Sequence, residues 1–197
     1  EGYKVNGGEL VAHTGKYVLT GKTTEHTVTV TGGEQEITLG GVNIDVSGMQ
    51  TGIPCAFAIE GGQVTLTLAD GSTNTLTSGL IDDKKTGISC AGLWVNQDAA
   101  LVINGNTGAL TAVGGGTKNH GFDNKGKASG IGASRAYGSA YDNKYNTVGD
   151  ITINGGQVTA TGSATINYGG AGIGGGDNAS SITINGGTVI AQAGHLN

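Results

Sequence analysis

With 197 residues, 40 of them Gly against a single Pro and 5% aromatics, the chain is long enough to bury a core but fits neither a collagen nor a Pro-rich linker composition. Charged residues make up 13% and the net charge is -5, so no basic footprint points to nucleic acid. No run of about 18 apolar residues offers a membrane span, and "EGYKVNGGEL" at the start lacks the basic and apolar regions of a signal peptide.

In chain order, the sequence alternates short period-2 runs with glycine corners. A corner at Val5-Asn6-Gly7-Gly8 precedes "TVTV" (27–30), which ends in Val30-Thr31-Gly32-Gly33. The marker Thr51-Gly52-Ile53 follows, then "AFAI" (56–59) with the corner Ile59-Glu60-Gly61-Gly62, then "VTLTL" (64–68) with the looser corner Leu68-Ala69-Asp70-Gly71. A second marker, Thr86-Gly87-Ile88, leads to "ALVI" (100–103) and Ile103-Asn104-Gly105. Markers recur at Ser129-Gly130-Ile131 and Ala171-Gly172-Ile173, before "DITI" (150–153) and "SITI" (181–184), which run into Ile153-Asn154-Gly155-Gly156 and Ile184-Asn185-Gly186-Gly187. The markers lie 35, 43 and 42 residues apart.

Val, Ile, Leu and Thr alternating over four or five residues, bounded by Gly, Asn and Asp, is the pattern of short strands, and no stretch carries a helical period. An Asn-Gly pair closes hairpins, which keeps an antiparallel β-sandwich open as an alternative. Aligning the copies in one direction, each too short to have its own core, predicts instead a right-handed parallel β-helix, an all-β solenoid. It would have five or six coils, glycine-rich corners and Ile, Val and Leu inside. Residues 1–197 then form one domain, with 116–150 as an inserted loop.

The cysteines sit in "TGIPCA" and "TGISCA". Stacked coils would place Cys55 and Cys90 about 5 Å apart, within disulfide range. Either a bridge or a pair of buried free thiols satisfies that geometry, and a bridge would favour an exported protein.

Function is expected where a repeat departs from its neighbours. The loop 116–150 carries five of the ten basic residues and Tyr137, Tyr141 and Tyr145. Ring faces beside Arg135 and Asp142 suit sugars, because rings cover C–H patches while polar neighbours take hydroxyls. The alternative is a solvated loop whose tyrosines pack down onto the scaffold. Asp82 and Asp83 in "SGLIDDKKTG" form a paired-carboxylate loop suited to calcium, or simply partner Lys84 and Lys85.

"VTLTLADGSTNTLTSG" (64–79) followed by "DDKKTGISCAGLWVNQDAALVINGNTGALTAVGG" (82–115) resembles the clostridial cell-surface carbohydrate-binding β-helix proteins. The segment 129–194, with "SGIGAS", "AGIGGG" and "ITINGG", is similar to repeats of large adhesin-like surface proteins of gut Firmicutes. The resemblance implies a polysaccharide-lyase-like right-handed β-helix, binding of plant polysaccharide, and bound calcium at the acidic loop, Asp82 and Asp83. Relatives carry a longer acidic run there than this chain's two aspartates followed by two lysines.

The sequence-level expectation is therefore a noncatalytic, calcium-assisted glycan-binding module at the bacterial cell surface, tethered to other domains, with polysaccharide or host glycan as partner. A structural stalk of a large adhesin is the alternative, favoured by the abrupt end at "AGHLN". A lyase would need a base such as Arg135 or Lys144 beside Asp142 and Asp150, and a glycosidase two carboxylates such as Asp142 and Asp177. Outward Thr ranks that order water, as in ice-binding solenoids, are the remaining possibility.

Overall fold

The computed structural model describes residues 10–11, 15–82, 87–116, 127–137, 143–164, 169–178 and 180–194. The structure is mostly strand, in three sheets. The first is a curled half-barrel of six parallel strands: β1 (Leu10–Val11), β3 (Val28–Val30), β5 (Phe57–Ile59), β10 (Leu93–Val95), β13 (Ile131–Gly132) and β17 (Ile173–Gly174), neighbours in that order.

The second sheet has ten strands organised around β4 (Glu34–Asp45). The first half of β4 pairs with β6 (Gly62–Leu68), followed by β11 (Ala99–Gly105), β15 (Asp150–Ile153) and β18 (Ile182–Ile184). Its second half pairs with β7 (Thr73–Thr77), followed by β12 (Ala109–Val113), β16 (Gln157–Thr161) and β19 (Thr188–Gln192). The strand β2 (Gly15–Thr23) covers the free side of β4. The third sheet is small and antiparallel: β8 (Leu80–Asp82), β9 (Gly87–Ser89) and β14 (Arg135–Tyr137).

This architecture corrects the expected right-handed β-helix of five or six like coils. The parallel strands form a curled half-barrel and companion sheets, not a uniform solenoid. Three local features explain the difference. Strands β2 and β4 stay continuous where later segments break into two strands, each passing the bend through a left-handed glycine, Gly21 or Gly41, instead of a break between two strands. The marker Thr86-Gly87-Ile88 does not align with Ser129-Gly130-Ile131: Ile88 pairs antiparallel with Ile81 and Ala136, whereas Ile131 lies in the half-barrel beside Leu93. And the glycine corner serves two different bends. Gly33 and Gly62 lead into β4 and β6, while Gly156 and Gly187 lead into β16 and β19.

The chemistry of the corner is nonetheless common to both bends. Its second glycine has φ of 75° at Gly33, 81° at Gly62, 85° at Gly156 and 86° at Gly187, the left-handed region that a side chain would strain. A Cβ at Gly62 would also run into the Gly33 backbone, so close stacking and backbone conformation make the same demand.

The core follows from alternation along the strands. Ile37, Leu66, Ile103 and Ile153 occupy one inward row, at most 2% exposed, and Val64, Leu101 and Ile151 the next. Across the bend, Ile44, Leu76, Ala112 and Ala160 face the same core. Two members of the inward set are polar: Gln35, beside Val64, and Asn74, fully buried beside Leu110. The Asn74 Oδ1 accepts from the backbone N–H of Gly41 at 2.9 Å and Val42 at 3.0 Å. Its Nδ2 donates to the Ala109 carbonyl at 3.0 Å and the Ser72 hydroxyl at 2.9 Å. Asn74 thus satisfies the backbone N–H groups of Gly41 and Val42, where β4 passes from one partner to the other.

A satellite core lies between the half-barrel and the antiparallel sheet: Cys55, Ala58, Ile88, Cys90, Ala91, Trp94, Ala136 and Tyr145. Cys55 and Cys90 form a disulfide with Cα atoms 5.0 Å apart, deciding between the bridge and the free thiols. Both cysteines are buried.

Candidate binding surface

The stretch 116–150 supplies β13, β14 and a 3-10 turn, Asn143–Asn146. Tyr137 closes β14, where its backbone pairs with Gly87, and Tyr145 sits in the 3-10 turn, so no single helix presents these two rings on one face. Tyr145 is 4% exposed and stacks on Trp94 with ring centroids 4.8 Å apart and planes 24° apart. Its neighbour Lys144 lies 5.8 Å from the Trp94 centroid and 5.2 Å from that of Tyr145, and reaches Glu60 at 3.3 Å. The turn is a clasp on the satellite core: a cation over two stacked rings, tied by a carboxylate from the corner before β6. Tyr141 and Asp142, and the side chain of Tyr137, lie outside the described residues.

Arg135 is half-buried and bound to Asp177, its Nη1 lying 2.9 Å from each carboxylate oxygen. Asp150 accepts from the Ser181 N–H at 2.9 Å. Of the groups that an enzyme reading would gather, Arg135 and Asp177 pair with each other, while Lys144 is tied to Glu60 and Asp150 to Ser181. Asp82 ends β8, and its side chain, with all of Asp83, lies outside the described residues. Among the described residues no group of three or more His, Cys, Asp or Glu side chains could hold a metal ion.

Outward Thr ranks were expected only in general, without positions; the structure forms one on the sheet arm of β7, β12 and β16. Register places Thr75, Thr111 and Thr159 side by side, with Thr77, Val113 and Thr161 on one flank and Thr73, Ala109 and Gln157 on the other. Thr73 and Gln157 are exposed and the other seven half-buried, none of the nine is charged, and six are Thr. Parallel strands fix the spacing between neighbours near 4.8 Å, and alternate residues along a strand near 6.6 Å. A Thr presents a methyl and a hydroxyl side by side, so the patch mixes apolar and hydrogen-bonding points on one regular lattice. The "TNTLT" run carried the signal, but reading the patch required the register that joins it to "ALTAV" and "QVTAT".

Two open cavities flank other parts of the ten-stranded sheet. One of about 430 Å³ lies over Lys16, Glu34, Glu36, Gln63 and Thr65, where Lys16 pairs with Glu36 at 2.8 Å. The other, about 470 Å³, is lined by Glu25, Asp45 and Met49 among others, and Asp45 there accepts from both the backbone and the hydroxyl of Ser47. No family model, curated protein or solved structure matches the chain. Among the described residues no helix is long and apolar enough to cross a membrane.

Proposed function

We propose that the chain is a noncatalytic module that binds polysaccharide at the bacterial cell surface, using the outward face of β7, β12 and β16. The observation that carries this reading is the in-register lattice of six Thr with Gln157 on three adjacent strands. An extended glycan offers alternating C–H patches and hydroxyls, which the Thr methyls and hydroxyls match without any charge to desolvate. The resemblance to carbohydrate-binding surface proteins supports the same class of ligand, though the fold it implied is not the one observed. The buried disulfide is consistent with export.

Calcium enters the proposal through Asp82 and Asp83 alone, and no step of glycan contact is routed through it. The test is binding of the purified chain to a panel of plant and host glycans, with calcium and with a chelator. Thr111→Arg and Thr159→Arg place a bulky charge at the centre of the patch and should abolish binding while leaving the unfolding midpoint nearly unchanged. Binding that survives both changes would remove the patch from the mechanism. Loss of binding with chelator alone would assign the calcium role.

A second reading, a spacer segment of a large adhesin, is favoured by one observation: strands stack in parallel and in register along the ten-stranded sheet, a geometry in which each added strand lengthens the sheet by a fixed step.

A further inference from the structure

The uncharged patch on β7, β12 and β16 continues onto β4. Register sets Asn43 beside Thr75 and Asp45 beside Thr77. Residues paired directly across parallel strands point to the same face, so two rows now cross four strands: Asn43, Thr75, Thr111, Thr159 and Asp45, Thr77, Val113, Thr161. At about 4.8 Å per strand, each row is about 14 Å long. Asn43 is half-buried and Asp45 exposed, alternating with the buried Val42, Ile44 and Val46 as members of an outward row should.

The two additions bring chemistry that the Thr lattice lacks. Among the described residues Asp45 is the one charged residue that pairs in register with any member of the patch. Its Oδ1 accepts from the Ser47 N–H at 3.2 Å and the Ser47 hydroxyl at 2.6 Å, which holds the carboxylate in place. Among the described residues neither its Oδ2 nor the Asn43 amide has a hydrogen-bond partner. Beyond Asp45 lies the open cavity of about 470 Å³, to which Glu25 adds a second carboxylate and Met49 an apolar wall. The nearest cation by register is Lys22, opposite Asn43 on β2. It stands two strands, about 10 Å, from Thr75, far enough for physiological salt to screen it, whereas Asp45 adjoins Thr77 directly.

A lattice without charge that ends in a carboxylate discriminates by charge. A sugar hydroxyl beside Asp45 donates to its Oδ2, and a bond to an ionised acceptor is stronger than one between neutral groups. A uronate or sulfate in the same place has no proton to give and meets a like charge, so the site rejects it while accepting the neutral analogue of the same shape. We propose, resting on the reading of this face as a glycan site, that the site extends over Asn43 and Asp45 of β4 and that Asp45 selects neutral polysaccharides against those bearing carboxylate or sulfate groups. The glycan then lies across the strands, along the two rows, with the Asn43 amide and the Asp45 carboxylate taking hydroxyls at one end.

The probes are a β-glucan, a mannan and a galactan, each beside the same polymer carboxylated at C6, titrated into the chain with a chelator present so that no cation bridges two carboxylates. The expected result is a preference of about fivefold for the neutral form of whichever polymer binds, the size of an exposed charge pair, narrowing as salt is raised. Asp45→Asn, which keeps the acceptor for Ser47, should bring the two forms within about twofold of each other. Asn43→Ala should weaken binding of the neutral form several-fold, with the unfolding midpoint as the check that the fold is intact. Equal binding of the two forms by the parent chain, a preference for the carboxylated form, or a preference that Asp45→Asn leaves unchanged would overturn the proposal. If Thr111→Arg abolishes binding in those cases, the glycan face stands and only its extension to β4 falls. Binding of none of the six polymers, or binding indifferent to Thr111→Arg, removes the face and this proposal together.

Discussion

Asn74 offers the sharpest test of what holds the ten-stranded sheet in its bent form. Replacing it by Leu makes it resemble Leu110, its neighbour on β12, and a core governed by apolar stacking alone would tolerate or welcome the change. The hydrogen bonds argue otherwise. The Val42 N–H that Asn74 holds is buried, and leaving it unpaired costs about 1–3 kcal/mol. The three other bonds, to Gly41, Ala109 and Ser72, contribute about 0.5–1.5 kcal/mol each, less at Gly41, whose N–H reaches water when released. Against this, the extra apolar side chain returns about 2 kcal/mol. Asn74→Leu should therefore destabilise the chain by about 2–3 kcal/mol, and Asn74→Ala, which adds a void, by about 4 kcal/mol. Equilibrium unfolding in guanidinium chloride, with the slope checked for constancy, measures both. A Leu variant as stable as the parent would show that the bend at Gly40-Gly41 is set by packing and that the Asn74 bonds are incidental.

Other expectations concern the rest of the core. Gln35 occupies an inward position beside Val64, with Nε2 donating to the Gly32 carbonyl at 3.0 Å but Oε1 buried without a partner. Gln35→Met exchanges one bond for relief of that orphan and should raise stability by about 1 kcal/mol, read from the denaturation midpoint. The disulfide spans 35 residues, so replacing Cys55 and Cys90 by Ala together should cost about 2–4 kcal/mol, and a thiol reagent should detect no reaction after mild reductant until denaturant is added. Trp94, the only tryptophan, is fully buried, so its emission should be blue-shifted and resistant to aqueous quenchers. Tyr145→Ala should cost about 3 kcal/mol and shift that emission to the red, whereas Trp94→Phe, which removes an unpartnered Nε1, should cost about 1 kcal/mol.

The parts of the fold legible in the sequence are those that depend on neighbouring residues alone. Alternation in "VTLTL", "ALVI" and "DITI" is enough to place strands and their inward faces, because side-chain direction follows backbone period. The doubled glycine is enough to place bends, because few residues besides Gly tolerate φ near +80°. What could not be read is which bend a given glycine pair makes. "EGG" at 60–62 and "NGG" at 154–156 look alike, yet the first turns from the half-barrel into β6 and the second from β15 into β16. The choice is made by what each corner packs on, Gly33 in one case and Gly105 with Gly108 in the other, and such partners are distant in the chain.

The same limit governs the candidate site. Tyr145 looked like a ligand ring because its sequence neighbours are polar, and it is inward because Trp94, 51 residues earlier, supplies a stacking partner that no local pattern announces. Thr111, by contrast, looked like filler between Leu110 and Ala112. Its significance comes from Thr75 and Thr159 on either side, which only register brings into line. In a protein built of parallel strands, an outward surface is written across the chain at intervals of 36 and 48 residues here, one residue per strand. A binding face of that kind carries no contiguous motif. It becomes visible when strand pairing is known, and a charge introduced at any one of its Thr positions should be felt by a ligand that spans all three.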